Sequence, residues 1–301
     1  MKDRFRSYHE GELAVQSRAG VGSDGLFAEE MYRPLMPAGV QRFLSAQQVA
    51  VLASMDSEGR VWASMRSGQP GFLRALNEQT VEIGGYGHPE DPLLEDLAQP
   101  SPAGVLVIHL GARQRIRLNG IAQADQAGLI RLNVNQVYGN CPKYIQARAV
   151  TGERELSQGT ARHTTQLDAR LQHWLEGADT FFLATAHPQS GLDASHRGGK
   201  PGFVRVENQR QLLFPDYPGN KMFNSLGNIS SYPKAGLLFP DFETGAVLQI
   251  SGSARILWDD PRITEFKGAQ RLVAVDLERV IELPSAVLLR LEFRNYSPDL
   301  R

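Results

Sequence analysis

The stretch from Pro215 to Phe239, PDYPGNKMFNSLGNISSYPKAGLLF, concentrates residue types that can bind an anion. A Pro-Gly turn is followed by Asn220-Lys221, which reads as the opening of a short helix. Ser225 and Asn228 fall on its succeeding turns. Backbone N–H groups at a helix start, one ammonium and short hydroxyl or amide side chains together favour a phosphate or carboxylate. Arg197 and Lys200 stand upstream, just ahead of a Pro-Gly-Phe. Taken alone, Lys221 reads as a solvated surface lysine and Arg197 as a structural ion-pair residue. Their gathering at one end of one predicted barrel is what argues for a site.

Other chemistries find less support. The histidines, His9, His88, His109, His163, His173, His187 and His196, show no HExxH pattern or Cys/His spacing, so no metal site is expected. The Gly-rich RSG and RGG stretches lack a strand–GxGxxG–helix setting, and there is no GxSxG elbow. No residue stands out as catalytic. Cys141 is the lone cysteine, which excludes an internal disulfide; with no histidine beside it in sequence, it reads as an inert thiol. Lys+Arg of 32 against Asp+Glu of 33 gives no basic excess, which argues against nucleic acid. No apolar run is long enough for a membrane span, and the charged start MKDRFRSYHEGEL is unlike a signal peptide. The expectation is a cytoplasmic protein without nucleic-acid or membrane partners.

The elements that must position these residues repeat. Residues 51–72 and 182–203 agree at nine of 22 positions at a constant offset of 131. Tyr86 then falls on Tyr217. One residue later in register, Ala103-Gly104-Val105-Leu106 falls on Ala235-Gly236-Leu237-Leu238, and Gly120 and Ala122 on Gly252 and Ala254. Each copy reads as short antiparallel strands: Gln48–Met55, Arg60–Arg66, Gly71–Leu76, Thr80–Ile83, Gly104–His109 and Arg115–Ala122, mirrored by Thr180–Ala186, the stretch to His196, Gly202–Glu207, Gln211–Phe214, Gly236–Phe239 and Ala246–Ile256. Such strands with Gly-rich corners suggest a small closed barrel. Helices are predicted over Thr160–Glu176 and Pro89–Gln99, and Thr151–Gly159 reads as a polar joint. The organisation is an N-terminal extension (1–40), a first repeat (41–150) and a second repeat (151–301). His9-Glu10-Gly11-Glu12 in the extension suggests an amphipathic helix capping the barrel, or one that folds over a bound ligand.

The copies differ where the anion motif lies. The first has GGYGHPEDPLLEDLAQPSPAGVLVI at residues 84–108, with Glu90, Asp91, Glu95 and Asp96 in the equivalent segment. Such carboxylates repel a phosphate. The first copy keeps an arginine, Arg66, opposite Arg197, but has Gln69 opposite Lys200.

DYPGNKMFNSLGNI, followed by GLLFPDF and LQISGSARI, resembles the FMN-binding split barrel of the pyridoxamine 5'-phosphate oxidase superfamily, closest to its flavin-nucleotide-binding branch. The resemblance covers about residues 175–290. It extends to the first copy through the repeat and through VNQVYGNCPKYIQAR (134–148). It implies a mainly β fold with helices (α+β), here two tandem split β-barrels, with FMN as cofactor and a small-molecule redox substrate. It also implies pairing of barrels across the flavin, between chains as a homodimer or between the halves of one chain. By motif, Lys221 with Asn220, Ser225 and Asn228 would hold the phosphate. Gly202-Phe203-Val204 would run as a strand along the ring edge, with Arg197 and Lys200 close by. Lys143 and Tyr144 of the first copy would face them. Gly-Asn-Lys replaces the oxidase's serine-arginine-lysine triplet, which argues against pyridoxamine phosphate as substrate. The resemblance leaves three functions open: an FMN oxidoreductase, a non-catalytic flavin carrier or sensor, and a haem-binding relative.

Overall fold

A computed structural model of the chain describes residues 8–21, 32–156 and 159–300. Parts of the predicted extension (1–40) and of the polar joint (Thr151–Gly159) therefore lie outside the described residues. Two antiparallel sheets dominate. The first holds β1 (Val49–Met55), β2 (Val61–Ser67), β3 (Leu73–Ala75), β4 (Thr80–Ile83), β5 (Ser101–His109), β6 (Gln114–Ala124) and β7 (Ile130–Gly139), in the order β2-β1-β5-β6-β7-β4-β3. After β8 (Ala147–Glu153), the second holds β9 (Arg162–Thr164), β10 (Thr180–His187), β11 (Gly191–Gly198), β12 (Arg205–Asn208), β13 (Gln211–Asp216), β14 (Lys234–Pro240), β15 (Val247–Leu257) and β16 (Arg271–Leu283), with seven in the order β11-β10-β14-β15-β16-β13-β12 and β9 added on β16. The two orders are the same. The fold is mainly β with few helices, two tandem split barrels. β17 (Leu289–Asn295) pairs with β8.

β1 and β10 are buried along nearly their whole length because each serves two cores. Ala50 and Leu52 enter the first barrel, while Val49, Val51 and Ala53 alternate onto a core shared by both barrels. In β10, Phe181 and Leu183 fill the second barrel, and Phe182, Ala184 and Ala186 face the shared core. A strand buried on both faces reads as an unbroken apolar run, which is what these segments show. The barrels meet at two equivalent close approaches. A Cβ on Gly104 would lie 2.6 Å from Leu192 O, and one on Gly236 would lie 2.6 Å from Val61 O. Only glycine admits the backbone of the other barrel there.

Helices are shorter than the sequence suggests. They are α1 (Glu10–Arg18), α2 (Ala38–Ser45), α3 (Leu93–Asp96), α4 (Ala169–Gly177) and α5 (Asn224–Ser231). The helix expected over Thr160–Glu176 begins at Ala169, where Asp168 caps it by accepting from Leu171 N–H; its predicted first turns are β9 and a bend. The helix expected over Pro89–Gln99 shrinks to α3, which starts at Leu93 after Pro92; Asp91 Oδ1 accepts from Leu93 N–H at 2.9 Å in the turn before it. α1 is not amphipathic: it buries Glu12 and Gln16 beside Gly11 and Val15 and leaves Leu13 exposed. No described helix is long and apolar enough to cross a membrane.

Candidate functional site

A cleft of about 110 Å³ opens where the barrels meet. The first contributes Arg115 and Arg117 from β6, with Asn140, Cys141, Lys143 and Tyr144; the second contributes His196 and Arg197 from β11, Phe203, Asp216 and residues 219–221 and 223–226. A shallower groove of about 410 Å³ shares Lys143, Tyr144, Phe203 and Tyr217 with it and adds Lys200, Gly202 and Lys267. Tyr144 stacks on Tyr217 at 5.2 Å, and its hydroxyl donates to Pro218 O at 3.0 Å, so the first barrel's loop is pinned to the second's motif. A Cβ on Gly198 would meet Tyr144 O at 2.1 Å, which shows how close that loop lies to β11.

Charge in the cleft is unbalanced. Five cations line it, Arg115, Arg117, Lys143, Arg197 and Lys221, against one carboxylate, Asp216. Arg117 is neutralised from behind: its Nη1 lies 2.7 Å from Asp193, which also accepts from the Tyr138 hydroxyl at 2.7 Å. Asp216 is shared by Arg197 at 3.1 Å and Arg271 at 2.8 Å. Arg115 has no carboxylate. Its Nη2 donates to Cys141 O at 2.8 Å and its Nη1 to His196 O at 3.5 Å, both neutral acceptors. Burial, then the neighbouring Arg117, push its pKa down to about 10. Lys143 and Lys221 make no ion pair among the described residues. The buried Nε atoms of Arg115 and Arg197 and both ring nitrogens of His196 have no partner. Burial and the surrounding arginines hold His196 well below the usual imidazole range, so it is neutral. Unpaired buried polar atoms around an excess of cations fit an anionic ligand with ring acceptors.

The backbone is strained at the same place. Of the five described non-glycine residues with left-handed φ, Tyr144, Lys221 and Phe223 line the cleft. Each such residue costs about 1–3 kcal/mol and persists where surroundings impose it.

The cleft gathers Lys143, Tyr144, Arg197, Phe203, Asn220, Lys221 and Ser225. Other predicted site residues stand elsewhere. Lys221 is not at a helix start, because α5 begins at Asn224; Asn220 Oδ1 instead accepts from Met222 N–H at 3.2 Å and shapes the loop. Ser225 lines the cleft and donates to Ser195 Oγ at 3.0 Å. Asn228 faces away, donating to Thr185 at 3.0 Å and meeting His9 Nε2 at 2.9 Å. Lys200 and Gly202 lie in the groove. The strand expected at Gly202-Phe203-Val204 is a turn with Gly202 at φ +89. Its Gly202 and Phe203 N–H groups are spent on Glu176 O and Lys200 O, so they are not free for a ring edge. Val204 is fully buried in the second barrel's core. Sequence reasoning missed Arg115, Arg117, His196 and Asp216. A signal existed for the first two: in the repeat register they correspond to Val247 and Gln249, so the first copy carries two arginines where the second has none.

The equivalent place in the other direction is closed. Gln249, opposite number of Arg117, donates to Asp91 at 2.9 Å, and Ser64 donates to the same carboxylate at 2.6 Å. Asp96 accepts from Ser54 at 2.6 Å, as Asn228 donates to Thr185 in the second barrel. The acidic segment of the first copy thus fills its own site. Burial raises Asp91 above the usual carboxylate range and Asp96 to about 6.

The structure also brings His9, Glu10 and His187 within metal-ligating distance of one another. Both Nδ1 atoms accept backbone N–H groups, which leaves Nε2 as the donor of each ring. His187 Nε2 donates to Glu10 at 2.8 Å. The rings stack at 3.9 Å as a latch for α1, with no lone pair turned to a metal.

Residues 167–297 match the family model described as Pyridoxamine 5'-phosphate oxidase. No curated protein matches the chain. Similar solved structures include HupZ of Group A Streptococcus (13% identity, 40% of this chain and 98% of that one, TM-score 0.33). Others are HutZ, the haem storage protein of Vibrio cholerae (14%, 40% and 95%, 0.30), and an FAD-binding protein of Mesorhizobium loti (10%, 40% and 96%, 0.29).

Proposed function

We propose, from the premise that the second half of this chain belongs to the pyridoxamine 5'-phosphate oxidase split-barrel family, that the chain is an FMN-binding flavoprotein acting as an oxidoreductase on a small molecule. The carrying observation is the cleft between the barrels, with three cations, Arg115, Lys143 and Lys221, that no carboxylate neutralises. A phosphate dianion would be held by Lys221, Ser225 and Arg115, with Asn220 shaping the loop. Arg197 and Lys143 would face the ring, and Tyr144 and Phe203 would exclude water from it. Bound FMN supplies the redox chemistry; the side chains anchor, orient and shield. With both walls drawn from one chain, one site per chain is complete without a second copy.

Purified protein should be yellow, with flavin bands that a nicotinamide donor or dithionite bleaches, and the released ligand should have the mass of FMN. Lys221→Glu should lose the flavin while melting as the wild type does. Full FMN occupancy in that variant removes the assignment. One observation favours a second reading, haem: His196 is buried in the cleft, neutral, and free at both nitrogens. A Soret band that His196→Leu abolishes would choose it over flavin.

A further inference from the structure

Two turns carry lysines into the groove beside the cleft. Lys200-Pro201-Gly202-Phe203 closes with Phe203 N–H donating to Lys200 O at 2.9 Å, and Phe266-Lys267-Gly268-Ala269 with Ala269 N–H donating to Phe266 O at 2.9 Å. The third residue of each is a left-handed glycine, Gly202 at φ +89 and Gly268 at φ +86, as a turn of this kind requires. Lys143 joins them from the first barrel's loop. The first copy provides a control. It keeps the turn as Gln69-Pro70-Gly71-Phe72, with Phe72 N–H donating to Gln69 O at 3.0 Å and Gly71 at φ +97. There the first residue is uncharged, and Gln69 donates to Glu153 at 2.7 Å. The turn is structural in both copies; the lysine belongs to the groove alone.

Lysine is scarce in this chain, six against 26 arginines. Five of the six fall among the described residues, and four of these, Lys143, Lys200, Lys221 and Lys267, line the groove or the cleft that shares its wall. None of the four makes an ion pair or a side-chain hydrogen bond among the described residues, whereas the fifth, Lys234, lies 2.6 Å from Glu278. Lysines that served only solvation would be spread over the surface. Two carboxylates also line the groove, and neither answers these ammoniums. Glu265 pairs with Arg205, and Asp299 accepts from Ser297 Oγ at 3.4 Å within its own turn. Between the charges stand Phe203, Tyr217, Pro218 and Pro298. Such low-dielectric walls focus a field of one sign on whatever lies between them.

We propose that the groove is a ligand site of its own and binds an organic anion carrying two or three carboxylate, phosphate or sulfonate charges, held by Lys143, Lys200 and Lys267. Its volume of about 410 Å³ is that of a small-molecule site. This binding needs no flavin. One further step rests on the flavin reading: because groove and cleft share Lys143, Tyr144, Phe203 and Tyr217, the anion is the substrate that reaches the flavin ring.

Benzamide, benzoate, isophthalate and trimesate place no, one, two and three carboxylates on one ring. Titrated into the full-length protein at low salt by calorimetry and ligand-observed NMR, they should bind in that rising order, each charge adding about threefold. Salt at about 0.5 M should erase the differences. Lys200→Glu/Lys267→Glu changes two exposed side chains, so the protein should melt as the wild type does and bind trimesate at least tenfold more weakly. Lys200→Gln/Lys267→Gln, which only removes the charges, should weaken it about threefold or more. Lys221→Glu, the variant that loses flavin, should keep trimesate within about threefold. Equal affinity across the series, or trimesate unchanged in both folded double variants, overturns the proposal. Trimesate lost in Lys221→Glu and kept in the double variants puts the anion in the cleft and also overturns it, with the flavin reading intact. The charge series in a protein that holds no FMN supports the groove and removes the flavin reading. The substrate step is tested on dithionite-reduced, FMN-loaded protein, where each flavin gives two electrons to two acceptor ions and releases two protons. Lys200→Glu/Lys267→Glu should slow reoxidation by ferricyanide at least tenfold and speed it by hexaammineruthenium(III). Equal effects on the two acceptors overturn that step.

Discussion

Arg115 is the residue on which the cleft turns. A guanidinium taken out of water without a carboxylate is a cost to the fold, and here the acceptors are two backbone carbonyls. Such a cost persists where a ligand later supplies the missing charge. Arg115→Met keeps the stem and removes the charge. The ligand-free protein should then melt higher, by roughly 2–4 °C for each kcal/mol relieved, while flavin affinity falls at least tenfold. Thermal melts with and without FMN check both halves; a variant that melts lower and binds as before would show Arg115 to be merely structural. Sequence showed Lys221 and Arg197 because they sit in a recognisable motif. Arg115 left a trace only in the comparison of the two copies, where Val247 stands opposite it, and His196 left none, because its role comes from what lies across the barrel interface. Val204 was misplaced for the complementary reason: a valine after Pro-Gly-Phe fits a ligand-lining strand and a core equally well.

α1 acts on the motif from behind. Its Glu12 accepts from Asn224 Nδ2, the first residue of α5, and Gln16 donates to Met222 O at 3.1 Å. Glu12 also closes a capping box with His9. Burial raises Glu12 to about 7 and lowers His9 to about 4. For Glu12 the folded pKa lies above the unfolded one, so its stabilising contribution is full below about pH 4.5 and is lost as pH rises through about 7. For His9 the folded pKa lies below, so its contribution is full above about 6.5 and fades as pH falls through about 4. Docking of α1 should therefore be firmest in mildly acidic solution. Glu12→Gln keeps the shape without the charge, so it should flatten the loss between about pH 4.5 and 7 and recover up to about 3 kcal/mol above pH 7. Amide exchange of α1 and α5 against pH measures this; a slope over that range unchanged in Glu12→Gln would remove Glu12 as its source. This element was half legible. The stretch His9-Glu10-Gly11-Glu12 suggested a capping helix, but its polar buried face was hidden because the partner, α5, lies more than 200 residues away.

At the scale of the molecule, the internal similarity translated well into architecture, since the same strand order follows the same pattern of apolar runs and glycines. β7 and β16 escaped notice although Ile130, Leu132 and Val134 alternate inward; their charged and amide outer residues made them look like loops. The glycines shared by the copies find their reason only in the assembled structure. Gly104 and Gly236 sit where each barrel's strand crosses the other's backbone, and the atoms that an added Cβ would meet are main-chain atoms that cannot swing aside. Gly104→Val should therefore push Leu192 and Asp193 outward, and with Asp193 goes the support of Arg117. Gly236→Val should displace Val61 and Trp62 at the closed side, far from the cleft. Both should destabilise, by about 1–3 kcal/mol or more, and uncouple the barrels so that a single unfolding transition becomes two. Only Gly104→Val should also lower flavin affinity in protein that remains folded. Calorimetric scans paired with flavin titration separate the two effects. Equal loss of flavin in both variants would mean that the cleft depends on the whole interface rather than on the Asp193–Arg117 contact.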